Sequence, residues 1–186
     1  MGEKTGEEYL LPVRVSFEEF TLFRIVPGQR VSDLLDDLTT DSSLQLCKLL
    51  REAGGRVVAT QLIHEDTFID DIDDIRWNVR EPRDCDLWLV DIRNEFNIFF
   101  NDFTRLTSGY PMHHLVLYSD LNMQVYTFEK LIRECIGLAH DDPRLRLYGC
   151  EPGSCKVQFL DPMSQAAAFI PYDDPGSPSF FQFMAV

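Results

Sequence analysis

The first apolar positions of the chain alternate with polar ones, a pattern typical of a half-buried strand. Residues 12–17 place three apolar side chains on one face, and a second apolar run rich in β-forming residues covers residues 20–26. Pro27-Gly28 interrupts that run and favours a turn. The two segments together predict a β-hairpin at the start of the chain.

A helix is predicted after this hairpin. Leucines within residues 34–38 share one helical face, and Ser32 is the predicted N-cap because its hydroxyl can accept an unpaired backbone N–H of the first turn. Residues 44–50 fit either a strand or a helix. Further strands are predicted at residues 56–59, 77–79 and 87–90.

The second half of the chain repeats this order of elements. A strand at 114–118 and a turn with a short strand within 119–126 precede a helix capped by Thr127. Strands follow at residues 145–147, 157–159 and 180–183. The two predicted helix starts, Ser32 and Thr127, lie about 95 residues apart, so the repeated order predicts two similar modules of about 90 residues each.

The predicted fold class is α+β, with one helix packed across a small mixed sheet in each module. Residues 8–95 form the first predicted module and residues 112–186 the second. Residues 96–111, rich in Asn and Phe, are the predicted connector. Ubiquitin-like β-grasp domains have this plan, and other small α+β folds share it.

Composition supports a packed protein and restricts its partners. Hydrophobic residues make up 45% of the chain and aromatic residues 12%, which is enough apolar material for a core. The formal net charge is −14, from 31 acidic and 17 basic residues, so nucleic acid and anionic membrane surfaces are unfavourable partners. A basic segment of another protein suits this charge better.

The location expected for the chain is the nucleus or the cytoplasm. No apolar run approaches the ~20 residues that span a bilayer, and the polar N-terminal residues do not resemble a signal peptide. Cys47 and Cys135 lie in apolar patterns typical of reduced, buried thiols.

The cysteines are poor candidates for a catalytic nucleophile. Cys47 and Cys135 lie in apolar segments, and Cys85 lies between Asp84 and Asp86, whose negative charges raise the pKa of a thiol. The chain also lacks the Gly-x-Ser-x-Gly motif of a serine hydrolase. We therefore predict no catalytic residue and no enzyme activity.

Neither a metal nor another cofactor is predicted. Cys150 and Cys155 supply only one candidate zinc-ligand pair, whereas structural zinc sites use two. The acidic residues 65–74 lack the glycine and terminal glutamate of an EF-hand loop, so they are interpreted as the solvated face of a short helix.

Two acidic residues carry the prediction of a partner-binding site. Asp84 and Asp86 are two residues apart at the start of the predicted strand 87–90, so both point to the same side and can pair with Lys or Arg of a partner. The competing interpretation is a loop whose charges only increase solubility.

Three stretches of the chain resemble the C-terminal region of the herpesvirus-associated ubiquitin-specific protease family, a series of ubiquitin-like modules. Residues 84–90 are similar to the acidic strand end by which one such module grips lysine-containing peptides. Residues 109–118 resemble the entry into the following module. Residues 126–138, with 142–147 after them, resemble its helix and third strand.

This resemblance implies tandem ubiquitin-like modules that recruit partners or act on a deubiquitinase catalytic domain. The catalytic Cys and His of that family lie in a separate protease domain, and Asp84 and Asp86 are the residues that match its lysine contacts. Two alternatives stay open. One is a structural scaffold subunit with a single α+β domain and no deubiquitinase connection, and the other is a metal-dependent enzyme using Cys150 and Cys155.

Overall fold

Along the described chain, two strands, a helix and three strands follow one another, and this sequence of elements occurs twice. A computed structural model describes residues 8–38, 43–53, 55–93, 95–101, 112–118, 123–143, 145–150, 157–159, 161–163 and 181–185. The chain divides into two units, one formed by Met1–Leu50 with Gln61–Ile92 and the other by Arg51–Thr60 with Arg93–Val186. The fold is a mixed α+β fold, as the sequence predicts.

The first sheet contains five strands in the order β2-β1-β5-β3-β4. Strand β1 pairs antiparallel with β2 and parallel with β5, and β3 pairs antiparallel with β5. The predicted hairpin is therefore present, and residues 44–50, which the sequence left undecided, are a strand. The elements of this part of the chain are β1 (Tyr9–Arg14), β2 (Phe20–Ile25), α1 (Val31–Leu38), β3 (Leu44–Arg51), β4 (Val57–Leu62), two 3-10 turns (Ile69–Asp71 and Pro82–Asp84) and β5 (Leu87–Asp91).

The helix α1 covers one face of this sheet with the leucines that its periodicity identified. Leu34 and Leu35 are buried, and Leu38 packs against the same core. Strand residues Leu11 and Val13 are fully buried beneath the helix. Burying an aliphatic side chain of this size stabilises a fold by about 1.5–3 kcal/mol, so the shared core holds the helix on the sheet.

The predicted N-cap of α1 is wrong. The helix begins at Val31, and Ser32 lies inside its first turn. The N–H groups of Val31 and Ser32 donate instead to the carbonyls of Thr67 and Glu65, at 3.0 and 2.9 Å. Because a distant loop satisfies these donors, the helix does not need a serine cap at this position.

The second sheet repeats the strand order of the first. Its order is β7-β6-β10-β8-β9, so the second strand of the hairpin again lies at an edge and the last strand lies beside the first. Strand β6 pairs antiparallel with β7 and parallel with β10, and β8 pairs antiparallel with β10 and β9. The elements are β6 (Glu95–Asn101), β7 (Met112–Tyr118), α2 (Val125–Cys135), β8 (Leu145–Cys150), β9 (Val157–Phe159) and β10 (Phe181–Ala185).

The first part of the predicted connector, residues 96–111, is corrected by this topology. Residues 96–101 belong to strand β6, which makes residues 112–118 the second strand of a hairpin and not the first strand of a module. Phe, Ile and Asn within 95–101 partly alternate, which is a strand pattern that the connector interpretation overlooked. Residues 102–111 lie outside the described residues.

The helix α2 confirms its predicted apolar face and contradicts its predicted cap. Phe128, Leu131, Ile132 and Cys135 are all buried. The N-cap is Gln124, which makes no side-chain capping hydrogen bond, and Thr127 is the third residue of the helix.

A buried ion pair joins α2 to β8. The side chains of Glu129 and Arg133 are almost fully buried, with Arg133 Nη2 at 3.2 Å from Glu129 Oε2. Arg133 also donates to the carbonyls of Asp142 and Leu145, at 2.9 and 2.8 Å, and Glu129 accepts from the N–H of Leu147 at 3.1 Å. Because an unpaired buried charge is costly, this network holds the end of α2, the following loop and β8 in register.

Candidate partner-binding surface

Asp86, one of the two predicted lysine contacts, is occupied within the chain. It is 4% exposed, and its carboxylate accepts hydrogen bonds from the guanidinium of Arg76, with Arg76 Nη2 at 2.9 Å from Oδ1 and Nε at 3.0 Å from Oδ2. The backbone N–H of Arg76 donates to the same carboxylate at 2.9 Å. The charge of Asp86 is therefore neutralised by Arg76, ten residues earlier, and is poorly placed to meet a partner's lysine.

Asp84 occupies a different local environment from Asp86. It is the last residue of the 3-10 turn Pro82–Asp84, and its carboxylate accepts from the N–H of Glu81 at 3.3 Å in a capping box. The side chain is partly exposed. Both acids precede strand β5, Asp84 as the last residue of the turn and Asp86 directly before Leu87, so the alternation of a strand does not set the direction of the Asp84 side chain.

The acidic residues 65–74 supply more exposed carboxylates than the predicted pair. Ile69 is buried and anchors the 3-10 turn Ile69–Asp71, which agrees with the prediction of a short helix with a solvated face. Asp71, Asp73 and Asp74 are exposed. Asp74 has a positive φ of 53°, a conformation that aspartate and asparagine tolerate better than most residues.

Two aromatic rings adjoin this acidic segment. The ring centroids of Tyr9 and Trp77 lie 5.2 Å apart with the planes at 82°, and Trp77 is 46% exposed. The hydroxyl of Tyr9 donates to the carboxylate of Asp70, which also accepts from the N–H of Gly28 at 2.6 Å. We call the residues Tyr9, Asp70, Asp71, Asp73, Asp74 and Trp77 the acidic–aromatic surface.

Electrostatics keep Asp70 charged at this surface. The hydrogen bond from Tyr9, followed by that from Gly28, holds the pKa of Asp70 below its usual 3.8. Burial, together with the neighbouring carboxylate, raises the pKa of the Tyr9 phenol well above its ordinary value. At neutral pH the surface therefore presents an ionised carboxylate beside two neutral rings.

Sequence reasoning missed the role of Trp77. It predicted a strand at residues 77–79, whereas residues 75–80 belong to neither a helix nor a strand. Ile75, Trp77 and Val79 alternate with polar residues, which favours a half-buried strand, so the sequence carries no signal that the ring of Trp77 is exposed. Its proximity to Tyr9 could not be inferred, because the two residues are far apart in the sequence.

The buried cysteines are unsuited to nucleophilic chemistry. Cys47 and Cys85 are 1% and 0% exposed. Burial is the main cause that raises the pKa of Cys47 to about 12 and that of Cys85 to about 11, and the acids flanking Cys85 add to it as predicted. Both thiols therefore stay protonated at neutral pH.

Among the described residues, no group of three or more His, Cys, Asp or Glu side chains is placed to hold a metal ion. Cys150 ends strand β8, and Cys155 lies outside the described residues. In the part of the chain that the structure describes, no helix combines the length and apolar character needed to cross a bilayer.

Comparison with known proteins does not identify the chain: no protein-family model and no curated protein matches it.

Proposed function

We propose that this chain is a non-catalytic protein-interaction region made of two tandem ubiquitin-like β-grasp modules. The supporting observation is the repeated sheet order, in which a hairpin, a helix and a last strand parallel to the first occur in both units. This is the arrangement of strands in a β-grasp fold. A scaffold built on a single domain would place one continuous sheet or core across the chain, and the two separate five-stranded sheets favour the tandem arrangement instead.

The chemistry of the proposed partner follows from charge. The chain carries a net charge of −14, and carboxylates at Asp71, Asp73 and Asp74 are exposed on the first unit. Opposite charge speeds the encounter of two proteins and selects between partners. We therefore propose lysine-containing segments of nuclear or cytoplasmic proteins as the partners. The resemblance to the ubiquitin-specific protease family adds a deubiquitinase catalytic domain as a further proposed partner.

The proposed contact surface is broader than the pair first identified. Asp84 stays a candidate lysine contact because it is partly exposed. Asp86 is better explained as a structural residue, since Arg76 already occupies its carboxylate. The acidic–aromatic surface supplies the additional charge.

Titration of the whole chain with a fluorescent lysine-rich peptide tests this proposal. The test variant changes Asp71, Asp73 and Asp74 to Asn, which removes three charges and suits the positive φ at position 74. Surface ion pairs contribute about 0.2–1 kcal/mol each, so we expect the loss of three to weaken binding about 3- to 150-fold. Binding by the natural chain should also weaken with added salt.

The matched control removes three charges elsewhere in the first unit. Glu18→Gln, Asp36→Asn and Asp37→Asn change exposed side chains by the same total charge. The proposal expects this control to bind nearly as tightly as the natural chain. Equal loss in both triple variants would show that only net charge matters, and absence of binding by the natural chain would refute recruitment of basic segments.

A further inference from the structure

Cation–ring contacts recur among the described residues of this protein. The guanidinium of Arg14 lies 4.2 Å from the ring centroid of Trp88, that of Arg30 lies 4.9 Å from the ring of Phe68, and Lys130 Nζ lies 4.3 Å from the ring of Tyr126. Phe68 and Tyr126 are 40% and 41% exposed. Two exposed aromatic rings are thus each covered in part by a cation of the chain itself.

Trp77 is the exception among the exposed rings that the structure describes. It is 46% exposed, and none of the cation–ring contacts between described residues involves it. The preceding residue, Arg76, directs its guanidinium to the carboxylate of Asp86. The nearest cation in the sequence is therefore held away from the indole by an ion pair.

The surroundings of Trp77 favour a positive charge. Tyr9 stands nearly perpendicular to the indole and, through its hydroxyl, fixes the carboxylate of Asp70. The N–H of Gly28 donates to the other oxygen of Asp70 and limits its rotation. A cation placed against the indole would meet an aromatic face, and Tyr9 connects that indole to an ionised carboxylate already held in position, so little ordering of these three side chains is left to the moment of binding.

We propose that Trp77, with Tyr9 and Asp70, forms a docking point for one cationic side chain of a partner's basic segment. This inference rests on the proposed function and adds to it the residues that bind an individual lysine side chain. The aromatic part selects a cation at close range, whereas Asp71, Asp73 and Asp74 act through their charge at longer range.

The test is a titration of the whole chain with a lysine-rich peptide and with a series in which each lysine is replaced by norleucine. The chain has two tryptophans, Trp77 and the buried Trp88, so binding at the docking point changes the emission of the exposed one. Trp77→Leu keeps an apolar side chain and removes the aromatic face. Leu22→Ala is the control, because Leu22 is 47% exposed and lies on strand β2.

We expect Trp77→Leu to weaken binding of the all-lysine peptide about 2- to 30-fold, the range of a cation–ring contact, and Leu22→Ala to leave it unchanged. One norleucine peptide should bind the natural chain more weakly than the all-lysine peptide by a similar factor. The same peptide and the all-lysine peptide should bind Trp77→Leu with nearly equal affinity, which identifies the lysine that contacts the indole. Urea unfolding monitored at Trp88 verifies that Trp77→Leu is folded.

Two results would overturn the inference and are separable from each other. If the all-lysine peptide binds Trp77→Leu as tightly as the natural chain, while the Asp71, Asp73 and Asp74 triple variant still binds more weakly, charge recruitment stands and the docking point does not exist. If the natural chain binds no lysine-rich peptide, the proposed function fails and the docking point fails with it.

Discussion

Replacement of Asp86 by Ala should destabilise the first unit, because this carboxylate is a structural element. Its side chain is 5% exposed and accepts hydrogen bonds from both the backbone N–H and the guanidinium of Arg76. Breaking a fully buried ion pair costs about 3–5 kcal/mol. The side chain of Arg76 is 46% exposed and can regain water, so we expect a smaller loss, about 2–3 kcal/mol, in the free energy of unfolding.

Urea unfolding followed by tryptophan fluorescence measures this loss in the first unit, because Trp77 and Trp88 are the two tryptophans of the chain. With a urea dependence of about 1 kcal/mol/M for a unit of this size, the midpoint should fall by about 2–3 M. Asp84→Ala is the control, since its carboxylate is partly exposed and makes a 3.3 Å capping bond. It should cost about 0.5–1 kcal/mol.

The reasoning would be refuted if Asp86→Ala unfolded at the same urea concentration as the natural chain, whatever the loss in Asp84→Ala. That outcome would mean that the contact between Arg76 and Asp86 contributes no net stability.

Three further predictions concern the other ionisable and thiol groups. Asp70→Asn should lower the urea midpoint at pH 7, and the difference should shrink as the pH falls below 3.8, because the depressed pKa of Asp70 contributes stability above that value and loses it on protonation. Cys47 and Cys85 should resist a thiol reagent at pH 8 in the folded chain and react in urea, because burial raises the pKa of both thiols. Rapid reaction of these two thiols in the folded chain would contradict that burial. Arg133→Met should destabilise the second unit by about 3–5 kcal/mol, and adding Glu129→Leu should recover part of this loss. Thermal unfolding followed by circular dichroism measures both changes. Equal stability of Arg133→Met and the natural chain would contradict a buried pair.

The apolar periodicity predicted the helices because their faces arise from local geometry. Leu34 and Leu35 in α1, and Phe128 and Leu131 in α2, are buried where the pattern places them. A helix repeats every 3.6 residues, so the positions that face a core recur within the segment itself. The α+β class could be predicted for the same reason.

The helix caps and the connector were harder to predict, because other parts of the chain decide them. The first N–H groups of α1 donate to carbonyls of Glu65 and Thr67, which no local pattern around Ser32 reveals. Residues 96–101 become a strand by pairing with β7 and β10, the second of which lies at the far end of the chain. The partial alternation within residues 95–101 permits a strand, and only this long-range pairing decides that they form one.

By itself, the sequence determined that this protein is acidic, rich in apolar residues and folded as alternating strands and helices. Only the tertiary structure decided which carboxylates are already paired within the chain and which can meet a partner. Asp86 is neutralised by Arg76, whereas Asp70 is held by Tyr9, which lies 61 positions away in the sequence and whose ring contacts Trp77. Charge is a property of residue type, but its availability depends on which side chains folding brings within hydrogen-bonding distance.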